Sequence, residues 1–190
     1  DDGRRSIALT TRLIETSPES PDADALREAA DAIQRGEVVA IPSDTLYVLV
    51  ADPFSLKAVT EVFRAKRREP NRSLPVFVTD IEMAEDYSAQ LSSNFYLLAR
   101  RFWPGPLTVI VPSSRKMPLK VTGNTGRLAL RQPNAPFPKE LLKTVGTPLI
   151  ATSANVSGSP SCSSGFEVLG TMDGSIDLIV EGGTISGEGA

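Results

Sequence analysis

Apolar positions along the chain fall into two alternating patterns, one with helical and one with strand spacing. From Ala25 to Arg35, Leu26, Ala29, Ala30 and Ile33 sit at i, i+3, i+4 and i+7 and Gly36 follows, which predicts a helix with its stop signal. Val38 to Ile41 is a short β-branched run ended by Pro42, and Leu46 to Val50 is a second strand, with a hydroxyl-rich turn, Ser43-Asp44-Thr45, between them. A second helix begins near Ser55 and carries Leu56, Val59, Phe63 and Lys66 along one stripe, until Pro70 pushes Glu69 out of the helical region. Leu74 to Thr79 reads as a strand, Asp80 as the cap of a helix over Ile81 to Tyr87, and Asn94 to Trp103 as an amphipathic helix stopped by Pro104-Gly105-Pro106. Strands follow at Leu107 to Val111 and Arg127 to Arg131, then a short helix from Lys139 to Val145 closed by Gly146. Pro148 to Ala151 is a buried strand running into Thr152-Ser153-Ala154-Asn155. A Ser/Gly/Pro loop then leads to Gly165, and Ile176 to Val180 is the last strand before Gly182-Gly183.

Strands interleaved with helices, without a linker in the middle, predict one α/β or α+β domain built on a mixed sheet. The acidic, Ser/Pro-rich stretch from Glu15 to Asp24 sets the domain organisation expected here: a lead-in over residues 1–24, partly disordered, and a folded domain over residues 25–190. With 190 residues, 41% of them hydrophobic and 23% charged, the chain can bury a sizeable core, which excludes general disorder. No apolar run approaches the roughly 18 residues of a membrane span, and Asp1 to Ser6 lack the apolar centre of a secretory leader. The expectation is a cytoplasmic protein without membrane association, or an organellar one whose targeting peptide has been removed.

Charge and reactive side chains narrow the chemistry. Lys plus Arg number 20 against 23 Asp plus Glu, a net of -3, which excludes a wholesale nucleic-acid coat and leaves any basic site local. The absence of histidine removes Ser-His-Asp triads and zinc-finger spacings, and one cysteine, Cys162, cannot form an internal disulfide. Three constellations remain. Arg64 to Arg72 holds five cations against one carboxylate; a solvated helix end is the plainer explanation, but Lys66 continues a buried stripe, and an inward lysine needs an anionic partner. Arg68 lies two residues on, where an extended chain aims both heads the same way, and the pair suits a phosphate-bearing ligand. Both side chains are thereby given to a ligand rather than to the fold. Ser153 and Asn155 emerge at a strand's carboxyl end, where open α/β sheets bind ligands, although an ordinary Ser/Thr or Asx turn would look the same. Ser43-Asp44-Thr45 with Tyr47 is placed similarly and is open to the same plain explanation. No G-x-x-x-x-G-K-[ST] occurs, which excludes Walker-type ATP binding. Trp103 reads as an aromatic anchor and Cys162 as a loop thiol, neither with a role.

In this order, Pro42-Ser43-Asp44-Thr45-Leu46-Tyr47, Lys66-Arg67-Arg68, Phe102-Trp103-Pro104-Gly105-Pro106-Leu107-Thr108, Leu128-Ala129-Leu130-Arg131-Gln132-Pro133 and Ser153-Ala154-Asn155-Val156-Ser157-Gly158 resemble the YrdC family of threonylcarbamoyl-AMP synthases, over roughly Ala25 to Gly183. Any one motif is weak; five in register make a specific match. The resemblance implies a single YrdC-like domain, a twisted mixed β-sheet flanked by helices around a large concave cleft. It implies a nucleotidyltransferase that condenses L-threonine, bicarbonate and ATP to threonylcarbamoyl-AMP and pyrophosphate, with Mg2+ carried by the nucleotide and no dedicated metal ligands. The implied partners are a downstream tRNA threonylcarbamoyl transferase and, weakly, tRNA itself. Carried over residue by residue, Lys66, Arg68, Ser153 and Asn155 fall on the family's catalytic tetrad. ATP contacts fall on Arg68, Arg72, Asn155 and Ser163, and threonine contacts on Thr45, Arg131 and Ser153. Val48 stands where the family usually has glycine, Glu69 and Ser73 where it often has proline, and Arg72 where lysine is common. The chain also stops at Gly187-Glu188-Gly189-Ala190, before the family's Ser-Thr-containing segment, from which a weakened activity is expected. Two rival readings remain: an RNA-binding module without catalysis, and a carbamoyl-AMP-forming enzyme that uses carbamoyl phosphate.

Overall fold

The computed structural model describes residues 9–187. Eight strands form one mixed sheet in the order β1-β8-β2-β3-β7-β4-β6-β5. They are β1 (Arg12–Glu15), β2 (Val39–Ile41), β3 (Val48–Ala51), β4 (Val76–Phe77), β5 (Val109–Pro112), β6 (Arg127–Arg131), β7 (Leu149–Ser153) and β8 (Leu178–Glu181). Seven helices connect them: α1 (Ala23–Gln34), α2 (Leu56–Lys66), α3 (Ile81–Tyr87), α4 (Ser93–Phe102), α5 (Leu119–Thr122), α6 (Pro136–Val145) and α7 (Gly165–Met172). β3 and β7 run antiparallel at the centre with Val48 opposite Ser153, while β4 and β6 run parallel with Phe77 opposite Arg131.

The central strands read as unbroken apolar runs because both faces of the sheet are covered. Ala40, Leu49 and Ala51 point into a core shared with α2, α4 and α7; Val39, Ile41, Val48 and Val50 point into a second core under α1 and α6. On that second face α1 packs against α6 and against β2 and β8, while Val48, Ala151, Phe77 and Arg131 line a cavity.

Local signals place most boundaries. Ser55 caps α2 by accepting from the Ala58 N–H, Asp80 caps α3 through Met83, and Ser92 caps α4 through Phe95. The Leu74 to Thr79 strand shrinks to two ladder residues, because Pro75 offers no N–H; its carbonyl still accepts from Ala151 N, and Val78 N donates to Arg131 O. Trp103 anchors the end of α4, its indole donating to Leu107 O at 2.8 Å and packing edge-on against Phe95.

Four features differ from the sequence reading or were left unassigned by it. Leu56 is 69% exposed; the buried stripe of α2 runs Val59, Val62, Phe63, Lys66, one register later. The Ser/Gly/Pro loop from Asn155 ends in a helix, α7, capped by Ser164 with Glu167 three residues on. The one-turn helix α5 interrupts the stretch before β6. The lead-in is not separate at residues 12–15: β1 pairs parallel with β8, and Thr11 donates its hydroxyl to Ile176 O. The reading of Asp1 to Ala8, and of Glu188 to Ala190 at the other end, lies outside the described residues.

Two helix ends turn on left-handed glycines of different cost. Gly146 (φ +76°) closes α6 in open space, whereas a Cβ on Gly123 (φ +59°) would stand 2.6 Å from the Asn71 carbonyl oxygen and 2.9 Å from the Arg72 carbonyl carbon. Gly146→Ala should therefore cost only the backbone penalty, about 1–2 kcal/mol. Gly123→Ala should exceed it by at least about 1 kcal/mol, since two backbone segments must part. Urea midpoints at equal m-value measure both.

Candidate active site

Helix α2 ends abruptly after Lys66 because Arg67 adopts a left-handed conformation (φ +49°), returning its N–H to Arg64 O. The turn sends Lys66 and Arg68 to different places. Lys66, 1% exposed, runs under the end of β7, where Nζ donates to Ser153 O (2.6 Å), Asn155 O (3.0 Å) and Asn155 Oδ1 (2.8 Å), with Ser153 Oγ at 3.3 Å. Three N–H donors thus face four oxygens, and none of the four is an anion. The Lys66 carbonyl in turn accepts from Ser157 N, and the Ser153 hydroxyl donates to Asn155 Oδ1 at 2.6 Å. Burial, and after it the nearby Arg68, pulls the ammonium down to about 8.

Arg68 instead lines the cavity. Its Nη2 donates to Ser73 O at 2.8 Å, but its buried Nε has no hydrogen-bond partner. Its pKa is also lowered, by burial first and by Arg72 second. Arg72 is exposed and forms no part of the cavity wall.

The cavity, about 330 Å³, lies over β3, β7, β4 and β6; the Thr45-Leu46 turn, Arg68, Pro75, Thr108, Ser153 and Ser161 complete its wall. Arg131, at the end of β6 and 4% exposed, lines the same cavity. Its Nε donates to Gly105 O (3.0 Å), Nη1 to Thr45 Oγ1 (3.2 Å) and Nη2 to Asp44 Oδ1 (2.5 Å), and its guanidinium carbon lies 5.4 Å from the Phe77 ring centre. Burial lowers its pKa while Asp44 works in the opposite direction.

Of the residues singled out in the sequence, Arg68, Thr45, Arg131 and Ser153 line one cavity, with Lys66 and Asn155 bonded directly beneath Ser153. Ser163 does not line it; its hydroxyl donates to Glu167 Oε1 at the start of α7, while Ser161 takes the wall position. Tyr47 also lines the cavity, but its hydroxyl is committed to the Gly182-Gly183 backbone. Fully buried, it accepts from Gly182 N (3.0 Å) and donates to Gly183 O (2.7 Å), and burial pushes its pKa up to about 12. Phe77, Ser161 and the ion-pairing role of Asp44 had no signature in the sequence, and Thr108 was legible only as the end of a motif that resembles the family's; Asp44 could be noticed only as a carboxylate inside a hydroxyl-rich turn. Among the described residues no group of three or more His, Cys, Asp or Glu could hold a metal ion, and no helix is long and apolar enough to cross a membrane.

The chain is similar to several known proteins. A curated threonylcarbamoyl-AMP synthase of Pyrococcus abyssi is 35% identical over 158 residues, 83% of this chain and 46% of that protein. One of Bacillus subtilis is 35% identical over 178 residues, 93% of this chain and 50% of the relative. The crystal structure of P. abyssi Sua5 complexed with L-threonine superposes with a TM-score of 0.85 at 32% identity, covering 92% of this chain and 51% of that one. The chain thus spans about half the length of these relatives. The Sua5/YciO/YrdC family model, described as "Telomere recombination", matches residues 31–190, and this chain belongs to that family.

Proposed function

We propose that this chain condenses L-threonine, bicarbonate and ATP into threonylcarbamoyl-AMP and pyrophosphate, with residues 25–190 and strand β1 forming the catalytic domain. Arg68 carries the reading: it is a cavity-lining guanidinium that, among the described residues, has no carboxylate within ion-pair distance, and so suits an anionic ligand. Burial first, and then Arg72 for Arg68 and Arg68 for Lys66, weakens the hold on these protons, and among the described residues no carboxylate lies within ion-pair distance of either cation. A triphosphate offers the balancing charge. Arg131 with Thr45 offers a cation and a hydroxyl to an amino acid, and the threonine complex of the P. abyssi relative supports that choice.

In the proposed reaction the threonine amine combines with carbon dioxide from bicarbonate, losing a proton to form a carbamate. A carbamate oxygen then attacks the α-phosphorus of ATP, which enters as its magnesium salt, and pyrophosphate leaves. Charge accumulates on the phosphoryl oxygens, where Arg68 meets it. Thr45 and Arg131 hold the threonine, and Ser153 and Asn155 hydrogen-bond carbamate or phosphate oxygens. Lys66 works beneath them: with every N–H engaged, it fixes the Ser153–Asn155 turn and lends it positive charge. Arg72 and Ser163 stand outside the cavity wall and would reach the nucleotide from its exposed side. The product, a mixed anhydride, suits a transferase that modifies tRNA adenosine.

Incubation with ATP, L-threonine and bicarbonate should yield threonylcarbamoyl-AMP by mass spectrometry. Product from carbamoyl phosphate alone, or salt-dependent RNA binding with no turnover, would refute the proposal. Arg68→Ala should lower turnover by about 10²–10³ with a nearly unchanged melting temperature. Lys66→Ala differs from the expectation that both side chains serve only the ligand. It strands the carbonyls of Ser153 and Asn155, so stability should fall by about 1–3 kcal/mol in urea titration along with activity.

The lowered Lys66 pKa gives a pH signature. Turnover should decline as pH rises through about 8, where the folded protein loses the ammonium charge. Between about 8 and 10.5 the unfolded chain retains a proton that the native state has lost, so the contribution of Lys66 to stability grows with pH in that window. Subtracting the stability curve of Lys66→Met from that of the wild type isolates it; a flat difference across the window would contradict the assignment.

A further inference from the structure

The proposed reaction asks one cavity to hold two anions of different valence, a monocarboxylate and a triphosphate. Arginine binds both classes, so the presence of cations does not by itself decide which anion goes where. The cations differ in one respect. Arg68 bonds the Ser73 carbonyl and Lys66 bonds neutral oxygens, and among the described residues neither is within ion-pair distance of a carboxylate. Arg131 is paired: it and Asp44 form an ion pair whose side chains are only 5% and 12% exposed. Three of its five N–H groups are committed, to Gly105 O, Thr45 Oγ1 and Asp44 Oδ1, and its plane lies against Phe77.

An arginine balanced in this way keeps two donors for a ligand but offers little net attraction to a multiply charged one. A carboxylate can share it; a polyphosphate placed there would bring several negative charges close to Asp44 in a poorly solvated setting. We propose that Asp44 sorts the two anions: by pairing with Arg131 it sets the guanidinium for a monocarboxylate and leaves polyphosphate to the unbalanced Arg68. The inference rests on the proposed reaction and deepens it. Asp44 does not line the cavity and acts through Arg131, which makes it a positioning and specificity-determining residue.

Calorimetric titration of the full chain with L-threonine and with inorganic pyrophosphate tests this. On the wild type, saturating pyrophosphate should leave the threonine Kd within about twofold. Asp44→Asn should raise that Kd by about tenfold or more, and pyrophosphate should now displace threonine. Asp44→Glu, which keeps the charge, should recover threonine affinity to within about threefold and abolish the displacement. Displacement of threonine by pyrophosphate on the wild type would overturn the inference even if the Asn variant failed to fold. So would an Asn variant that binds both probes as the wild type does, or a Glu variant as impaired as Asn. These are binding readouts: absence of threonylcarbamoyl-AMP from the wild type overturns the reaction alone, whereas a wild type that binds no threonine overturns both.

Discussion

A single buried ammonium holds the two halves of this site together. Lys66 ends helix α2, and the oxygens it meets belong to the turn after β7, 87 and 89 residues later in the chain. Without an anion in contact, the charge is offset only by dipoles, which is why its proton is held loosely. That arrangement fixes the Ser153–Asn155 turn against the sheet and, through the left-handed Arg67, frees Arg68 to face the cavity from the next residue but one. A lysine paired with a carboxylate would hold the turn as firmly and leave no positive field for a ligand.

The rest of the sheet serves that placement. Burying both faces of β2 and β3 makes the centre rigid, while on one face α1 packs against α6, β2 and β8, and Val48, Ala151, Phe77 and Arg131 line the cavity. The floor of the cavity is therefore made of strand side chains whose register is fixed by the ladder, and only its rim is loop. Polar groups on such a floor are held by backbone pairing rather than by their own rotamers, a good basis for preorganised electrostatics.

How much could be read from the sequence follows from how local each cause is. The caps of α2 and α3 and the limits of β6 were legible because a Ser, an Asp and an apolar alternation act within a few residues. Strand β1 was not, since Arg12–Glu15 is half polar and gains its structure from pairing with β8, more than 160 residues away. Helix α7 carried a readable Ser164–Glu167 capping pair, hidden by Gly165 and Gly170 inside the same eight residues. In the site, Lys66 and Arg68 were visible as charges on or beside an apolar stripe. The partners of Lys66 were not, because two are backbone carbonyls, which no side-chain pattern announces. The extended-chain argument for Lys66 and Arg68 failed for the same reason: the left-handed Arg67 is a property of the helix end, not of the residue type.

Bonds in and around the site join residues very distant along the chain: Lys66 to Asn155, Asp44 to Arg131, Tyr47 to Gly183, separations of 89, 87 and 136. Contacts this remote form late and together in folding. On the ribosome, then, the wall of this cavity cannot close before β7 and the turn after it have left the exit tunnel, because Ser153 is part of that wall and Asn155 is bonded beneath it.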